Sequence, residues 1–189
     1  MAKKRRRLNL DIGYADGEPV RGTTIGLDPY PHYPESDYLK DPEFIVPDIQ
    51  IKGEGESLPF KTGSLDRTTS FFPDGIMAFP NEGYAQFKSR KMYPYPEDFD
   101  PEEHWIALIE SLRVLRPGGT TRHVWDNEME IPTPLQVRKD PYYLALIQLL
   151  KNHDMENIKI EIEDNGLQGW EDGVPQYHYA FILTARKKK

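Results

Sequence analysis

Acidic residues stand near the ends of apolar runs at three places in the first third of the chain. Asp11 lies near the end of one run, Asp28 ends a second, and Glu54 follows a third. Gly13 and Gly17 come soon after the first run. Carboxylates accept hydrogen bonds from two donors at once, and glycine lets a ligand approach the backbone closely. Because ligands of open α/β sheets bind where loops leave the carboxyl ends of strands, this pattern predicts a ligand site there.

Plain structural roles account for the same residues. Gly13 and Gly17 are compatible with an ordinary tight turn. Asp28 precedes Pro29, a position that suits a turn cap, and Glu54 suits an exposed loop. The residue types alone leave both interpretations open.

Segments rich in apolar and β-branched residues predict the strands that position these side chains. The predicted strands lie around residues 8–12, 23–28, 49–51, 67–72, 120–125, 158–162 and 177–185. The proline-rich stretches 29–47 and 73–99 are predicted to be irregular connections. The last two strands, linked through residues 164–176, are expected to pair antiparallel.

Two helices are predicted from the residues at their starts. Asp100 is the N-cap of the first, with Pro101 in the first helical position and Glu103 completing a capping box. The apolar stripe of this helix comprises Trp105, Leu108, Ile109, Leu112 and Leu115. Asp140 and Pro141 begin the second helix in the same way. Helices that alternate with strands predict an α/β fold with a mostly parallel sheet and an antiparallel last strand.

The composition fits a single domain over residues 1–189, because 38% hydrophobic residues supply one core. No stretch approaches the roughly 20 consecutive apolar residues of a membrane span, so a cytoplasmic protein is expected. The absence of cysteine excludes disulfides, thiolate metal sites and a cysteine nucleophile. No histidine pair or carboxylate cluster has the spacing of metal ligands, so no metal is expected.

Basic residues cluster at both ends of the chain although the formal net charge is −7. Residues 1–7 and 186–189 are interpreted as tails that keep strand ends solvated or contact an anionic partner. No aromatic residue is interleaved with these clusters to stack on bases. Weak, non-specific binding of nucleic acid is therefore the most that is expected of them.

Four segments in a fixed order resemble a known family. They are LDIGYADG at 10–17, GLDPYP at 26–31, GEGESLPFKTGSLDRTTSFF at 53–72 and SLRVLRPGG at 111–119. Together they resemble the class I S-adenosylmethionine-dependent methyltransferase domain, particularly its small-molecule branch. The resemblance spans residues 8–189 and implies a Rossmann-like sheet and S-adenosylmethionine as the cofactor. The RPGG turn in the last segment is expected to end the helix and lead into the next strand.

The resemblance also implies roles for individual residues in cofactor binding. Asp11 corresponds to the residue that supports the amino-acid end of the cofactor. Gly13 and Gly17 correspond to the glycines beside its methionine part. Asp28 corresponds to the carboxylate that accepts both ribose hydroxyls.

Two further positions correspond to the family's adenine pocket. Glu54 matches the acidic residue that receives the exocyclic amine, and Leu58 and Phe60 match the apolar wall around the base. Methyl transfer is an in-line displacement in which alignment supplies much of the catalysis. No residue is therefore assigned as a catalytic base.

The first segment departs from the family pattern. Ala15 replaces a usual glycine, and only Glu18–Gly22 separate the glycine loop from the second strand. Since a parallel crossover usually needs about a dozen residues or more, the first crossover helix is predicted to be missing or shortened. Two functions fit this pattern. One is a methyltransferase acting on a small-molecule acceptor, and the other is a non-catalytic methyltransferase-like module that binds a protein partner in an assembly.

Overall fold

The computed structural model describes residues 7–12, 23–28, 48–53, 55–71, 100–129, 133–171 and 174–189. Within these residues lies one seven-stranded sheet with the order β3-β2-β1-β4-β5-β7-β6. The strands are β1 Leu8–Ile12, β2 Thr23–Asp28, β3 Ile49–Lys52, β4 Leu65–Phe71, β5 Leu115–Met129, β6 Met155–Glu171 and β7 Val174–Lys187. The predicted α/β architecture is confirmed.

The pairing of the strands also matches the predicted fold class. β1 to β5 pair in parallel, and β7 runs antiparallel to both of its neighbours, β5 and β6. The connection between the parallel neighbours β1 and β2 runs through residues 13–22, which lie outside the described residues. A missing or shortened first crossover helix therefore stays a prediction.

The helix predicted from Asp100 is divided in two, α1 at Pro101–His104 and α2 at Ile106–Val114. The Asp100 side chain accepts a hydrogen bond from the N–H of Glu102 at 2.9 Å, as an N-cap does. Trp105 separates the helices with φ −107° and ψ 35°, and its side chain is fully buried. Backbone hydrogen bonds from Trp105 to Pro101 and from Ile109 to Trp105 continue across the break. The division is therefore a local distortion of one helical segment.

Helix α2 ends at Val114, just before the RPGG segment as expected, but this segment belongs to β5 and does not precede it. The register between β4 and β5 passes from Leu65 opposite Leu115 to Arg67 opposite Thr120, so residues 116–119 interrupt the ladder opposite the single residue 66. A side chain at Gly119 would come within 2.9 Å of the Arg116 carbonyl oxygen. Glycine is required there because a Cβ atom would displace backbone.

The closing hairpin is longer than predicted. Residues 164–171 continue β6, and β7 begins at Val174, so most of the expected link is strand. The pairing shifts between Asp164 and Leu167, and Gly166 has φ 82°. The turn-forming residues that suggested a loop are accommodated as irregularities inside a long antiparallel ladder.

Two more helices precede this hairpin. α3 at Pro134–Val137 was not predicted, and α4 at Pro141–Asn152 begins at the predicted N-cap, Asp140, which accepts from the N–H of Tyr142 at 2.8 Å. At the other end of α4, Lys187 Nζ donates to the His153 carbonyl oxygen at 2.8 Å. A cation at this position is favourable because it faces the negative end of the helix dipole. The C-terminal basic cluster is thus partly built into β7.

Register divides the side chains of the central strands between two faces. The covered face carries residues that are all buried, namely Leu10, Ile12, Thr68, Ser70, Thr121, His123 and Leu183. Helix α2 packs on this face, since Ser111 Oγ lies 3.2 Å from His123 Nε2. On the other side, which we call the open face, Asn9, Asp11 and Val124 are buried. The remaining residues there are half-buried or exposed, namely Arg67, Thr69, Thr120, Arg122, Lys159, Thr184 and Arg186.

Candidate functional site

The strand order reverses direction at β1, which pairs with β2 on one side and β4 on the other. In open α/β sheets, ligands bind beside the carboxyl ends of the strands at such a switch point. Asp11 lies one residue before the end of β1, opposite Gly26 of β2 and Thr69 of β4. The fold therefore brings one of the predicted site residues to the switch point itself.

The Asp11 carboxyl group is held across the boundary between β1 and β4. Its Oδ1 accepts a hydrogen bond from Thr69 Oγ1 at 2.9 Å, and its residue is only 5% exposed. Burial raises the pKa of Asp11 to about 6, against the opposing effects of the Thr69 hydrogen bond and the Arg67 charge. Such a carboxyl group gains or loses its proton near neutral pH, and a nearby cation would favour its ionised form.

The other predicted polar residues are placed only in part. Asp28 ends β2, directly opposite Lys52 at the end of β3, so its backbone lies at the same sheet edge as the end of β1. Gly13, Gly17 and Glu54 lie outside the described residues. Their roles, like that of the Asp28 side chain, stay predictions.

The loop that contains Leu58 is bound to helix α2. Leu58 is 5% exposed and packs in the hydrophobic core, and Phe60 is half-buried against that core. The Leu58 N–H donates to Glu110 Oε2 at 3.1 Å, and its carbonyl oxygen accepts from Arg113 Nη2 at 3.1 Å. Arg113 Nη1 also donates to the Phe60 carbonyl oxygen at 2.9 Å. The backbone of the loop is thus held at both ends of the Leu58–Phe60 segment.

Glu110 and Arg113, which we call the loop clamp, were not identified as site residues from the sequence. Arg113 Nε and Nη2 donate to the two carboxylate oxygens of Glu110 at 2.6 and 2.7 Å, a bidentate arrangement. The hydrogen bond from Arg113 is the main cause that lowers the pKa of Glu110. Their spacing of three residues on a helix is typical of an ion pair, but the hydrogen bonds of this pair to the loop depend on tertiary packing.

A second set of polar residues lies in the core of the covered face and was also not identified from the sequence. His123 Nδ1 lies 2.5 Å from Ser70 Oγ, and its Nε2 lies 2.6 Å from Thr121 Oγ1. Burial lowers the pKa of His123 to about 3, so the imidazole is neutral. A serine beside a histidine suits nucleophilic catalysis. Ser70 and His123 are 2% and 0% exposed, however, and this network is therefore assigned to the core.

The described part of the chain contains neither a candidate metal site nor a candidate membrane-spanning helix. Its histidine, aspartate and glutamate residues form no group of three or more that could hold a metal ion. None of its helices is long and apolar enough to cross a membrane.

Comparisons with known proteins give structural matches only. No protein-family model and no curated protein matches the sequence. Among solved structures, a candidate methyltransferase from Bacillus halodurans is 13% identical, with a TM-score of 0.57, and the match covers 100% of this chain and 95% of that one. An arsenic(III) S-adenosylmethionine methyltransferase from Chlamydomonas reinhardtii is 20% identical with a TM-score of 0.53, over 97% of this chain and 64% of the other.

A third similar structure shows that the fold hosts more than one reaction. The [4+2]-cyclase SpnF is 16% identical, with a TM-score of 0.52, over 97% of this chain and 76% of its own. Identities this low establish a common fold and leave the chemistry to the site.

Proposed function

On the class I methyltransferase fold that this chain shares with these structures, we propose that the protein binds S-adenosylmethionine and transfers its methyl group to a small-molecule acceptor. The observation that carries the proposal is the Asp11 carboxyl group, buried at the switch point between β1 and β4. The proposed site extends from there along the carboxyl ends of β2 and β3.

The environment of Asp11 fits the amino-acid end of this cofactor. The cofactor carries an ammonium group, and a positive charge beside Asp11 would stabilise the ionised carboxylate against the cost of burial. The raised pKa of Asp11 then means that ligand binding and proton release are coupled. Asp28 is proposed to accept the ribose hydroxyls and Glu54 the adenine amine, with Gly13 and Gly17 beside the methionine part.

The loop clamp supports the adenine side of the proposed site. Glu54 lies four positions before Leu58, whose backbone N–H and carbonyl group are both bound by the clamp. Fixing that backbone limits the conformations open to the preceding residues, so less entropy is lost when a ligand orders them. Glu110 and Arg113 are therefore proposed as positioning residues, and Leu58 as part of the apolar wall.

The chemistry of the reaction places few demands on protein side chains. The cofactor supplies a methyl group bonded to a positively charged sulfur, and the acceptor displaces that sulfur in line. Alignment and the exclusion of water supply much of the rate, and a base is needed only for weakly nucleophilic acceptors. The residues of this chain are accordingly assigned to binding and orientation.

Calorimetric titration with S-adenosylhomocysteine tests the binding part of the proposal. We expect a dissociation constant in the micromolar range, or about −8 kcal/mol.

Asp28→Ala should weaken binding roughly ten- to a hundredfold, because a hydrogen bond to a charged acceptor contributes about 1.5–3 kcal/mol. Glu103→Ala removes the same charge from an exposed position on α1 and should bind as the wild type does.

Two results would contradict the proposal. A folded wild-type protein that shows neither heat nor a thermal shift with millimolar ligand does not bind the cofactor. The second result concerns catalysis. If the protein binds the cofactor but forms no S-adenosylhomocysteine from S-adenosylmethionine and a pool of small metabolites, it is not a transferase for that pool, and the catalytic part of the proposal is contradicted.

A further inference from the structure

The open face contains a shallow depression of about 270 Å³ on strands β4, β5, β7 and β6. Most of the side chains that line it are hydrogen-bond donors. They are Arg67, Arg122, Arg186, Thr120, Thr184 and Asn157. Guanidinium, hydroxyl and amide groups in one concave surface suit an oxyanion.

Strand register explains why these residues lie together. Arg67, Thr120 and Arg186 are direct neighbours across β4, β5 and β7. Arg122 and Thr184 form the next row on the same face. Since neighbouring strands lie about 4.8 Å apart, the backbones that carry Arg67 and Arg186 are separated by only about 10 Å. Three arginines therefore line one small depression.

Acidic residues limit the size of the anion that this surface suits. Asp11 lies near enough to Arg67, and Glu161 near enough to Arg122, for their charges to interact. Glu156 stands directly opposite Arg186 on β6. The net charge of the whole protein is −7. An extended polyanion would meet this surrounding negative charge, whereas one or two phosphate groups fit within the cluster of donors.

Arg186 carries an additional unsatisfied donor. Its Nε atom is shielded from solvent and has no hydrogen-bond partner in the described part of the chain. A buried donor without a partner is unfavourable and is usually satisfied by water or a ligand. Arg186 also lines the depression, so a modest rotation of its guanidinium group would bring this donor to a bound oxyanion.

From these contacts we propose that the open face is a binding site for a small phosphate-bearing ligand, held by Arg67, Arg122 and Arg186 with the hydroxyl groups of Thr120 and Thr184. The site is separate from the proposed cofactor site. It lies on β4 to β6, whereas the cofactor site extends from β1 towards β3. The two sites adjoin at Arg67, whose charge acts on Asp11, and the inference does not require that the protein be a methyltransferase.

Calorimetric titration with inorganic pyrophosphate, at about 50 mM salt, tests this site on the full-length protein. We expect binding to one site, weakened at least about tenfold by Arg122→Gln and by Arg186→Gln, because each removes a charge-assisted hydrogen-bond donor. Arg138→Gln is the matched control, since it removes the same charge from an exposed position after α3 and should leave affinity within about twofold. Saturating S-adenosylhomocysteine should leave pyrophosphate binding intact and change its affinity by no more than about tenfold, because only Arg67 interacts with the charge of Asp11.

A measurement on the wild type covers the case in which the variants do not fold. In nitrogen-15 spectra, pyrophosphate should shift the Nε–H signals of Arg67, Arg122 and Arg186 and leave that of Arg138 in place. Three results would overturn the proposal. They are absence of pyrophosphate binding, equal weakening of binding by all three substitutions, and signal shifts spread evenly over the arginines. Tighter and steeply salt-dependent binding of a ten-residue oligouridylate would also overturn it, because that result identifies RNA as the ligand.

Discussion

The two faces of the sheet use polar residues in opposite ways. On the covered face, His123 is fully buried and contacts Ser70, Thr121 and Ser111, so its hydrogen bonds are satisfied inside the core. On the open face, one position along β5 in the sequence, Arg122 is half-exposed and lines a depression. The same strand thus contributes a structural network on one side and a candidate anion site on the other. The burial of a polar side chain therefore decides whether it is assigned to the core or to a candidate ligand site.

The largest expected effect comes from breaking the covered face. His123→Ala removes a buried ring and takes one hydrogen-bond partner from each of the hydroxyl groups around it, so we expect a loss of about 3–5 kcal/mol in the free energy of unfolding. Arg122→Ala on the open face should cost about 0.5 kcal/mol or less, because its charge is screened by solvent. Urea denaturation of both variants measures the difference. Similar losses for the two substitutions would contradict the distinction between the faces.

Acid should destabilise the covered face through the same histidine. The folded pKa of His123 is lowered from 6.5 to about 3, so its contribution is complete above pH 6.5 and is lost as the pH falls towards 3. Between about pH 6.5 and pH 4.5 this loss amounts to about 2–3 kcal/mol. His123→Gln should remove that slope from a series of denaturation curves. A slope that persists in the variant would assign acid sensitivity to other groups.

Asp11 should show the opposite pH dependence. Its folded pKa is raised from 3.8 to about 6, so its favourable contribution is complete below pH 3.8 and is lost as the pH rises through about 6. Asp11→Asn keeps an acceptor for Thr69 and should raise the free energy of unfolding by about 3 kcal/mol near pH 7. Near pH 3.8 it should have little effect.

The same substitution connects stability with the proposed function. Because the asparagine cannot offer a negative charge to an ammonium group, Asp11→Asn should also weaken S-adenosylhomocysteine binding. Glu103→Gln, at an exposed site on α1, should change neither property. Destabilisation by Asp11→Asn near pH 7 would show that the native carboxylate is ionised and stabilised by its surroundings.

Among the variants expected to change both stability and ligand affinity, the smallest effect is expected at the loop clamp. The clamp connects helix α2, on the covered face, to the Leu58–Phe60 loop. Arg113→Lys keeps the charge but loses the bidentate contact with Glu110 and the shared contacts with the loop carbonyl groups. We expect a loss of about 1 kcal/mol in stability and a decrease of a few fold in S-adenosylhomocysteine affinity. Lys151→Arg, an exposed change on α4, serves as the control. Unchanged ligand affinity with reduced stability would make the clamp purely structural.

Much of the fold was predictable because its signals are local. The positions of β1 and β2, the N-caps Asp100 and Asp140, and the alternation of helices with strands all follow from residues close together in the chain. The placement of Asp11 near the end of a strand was likewise readable, and the family resemblance added the order of the elements. Local patterns failed where tertiary packing overrode them. The helix is distorted at the buried Trp105, and the RPGG segment interrupts the ladder inside β5 and does not precede that strand.

The sequence by itself determined which carboxylates stand at strand ends, because strand ends are marked by neighbouring residues. Only the tertiary structure decided which side chains meet, since contacts form between strands that are distant in the chain. Thr69 reaches Asp11 across 58 positions, and Arg113 reaches Leu58 across 55. Arg67 and Arg186 share one face only through the register of β4, β5 and β7. No periodicity within a single segment encodes that register, because it is set by the packing of the whole sheet.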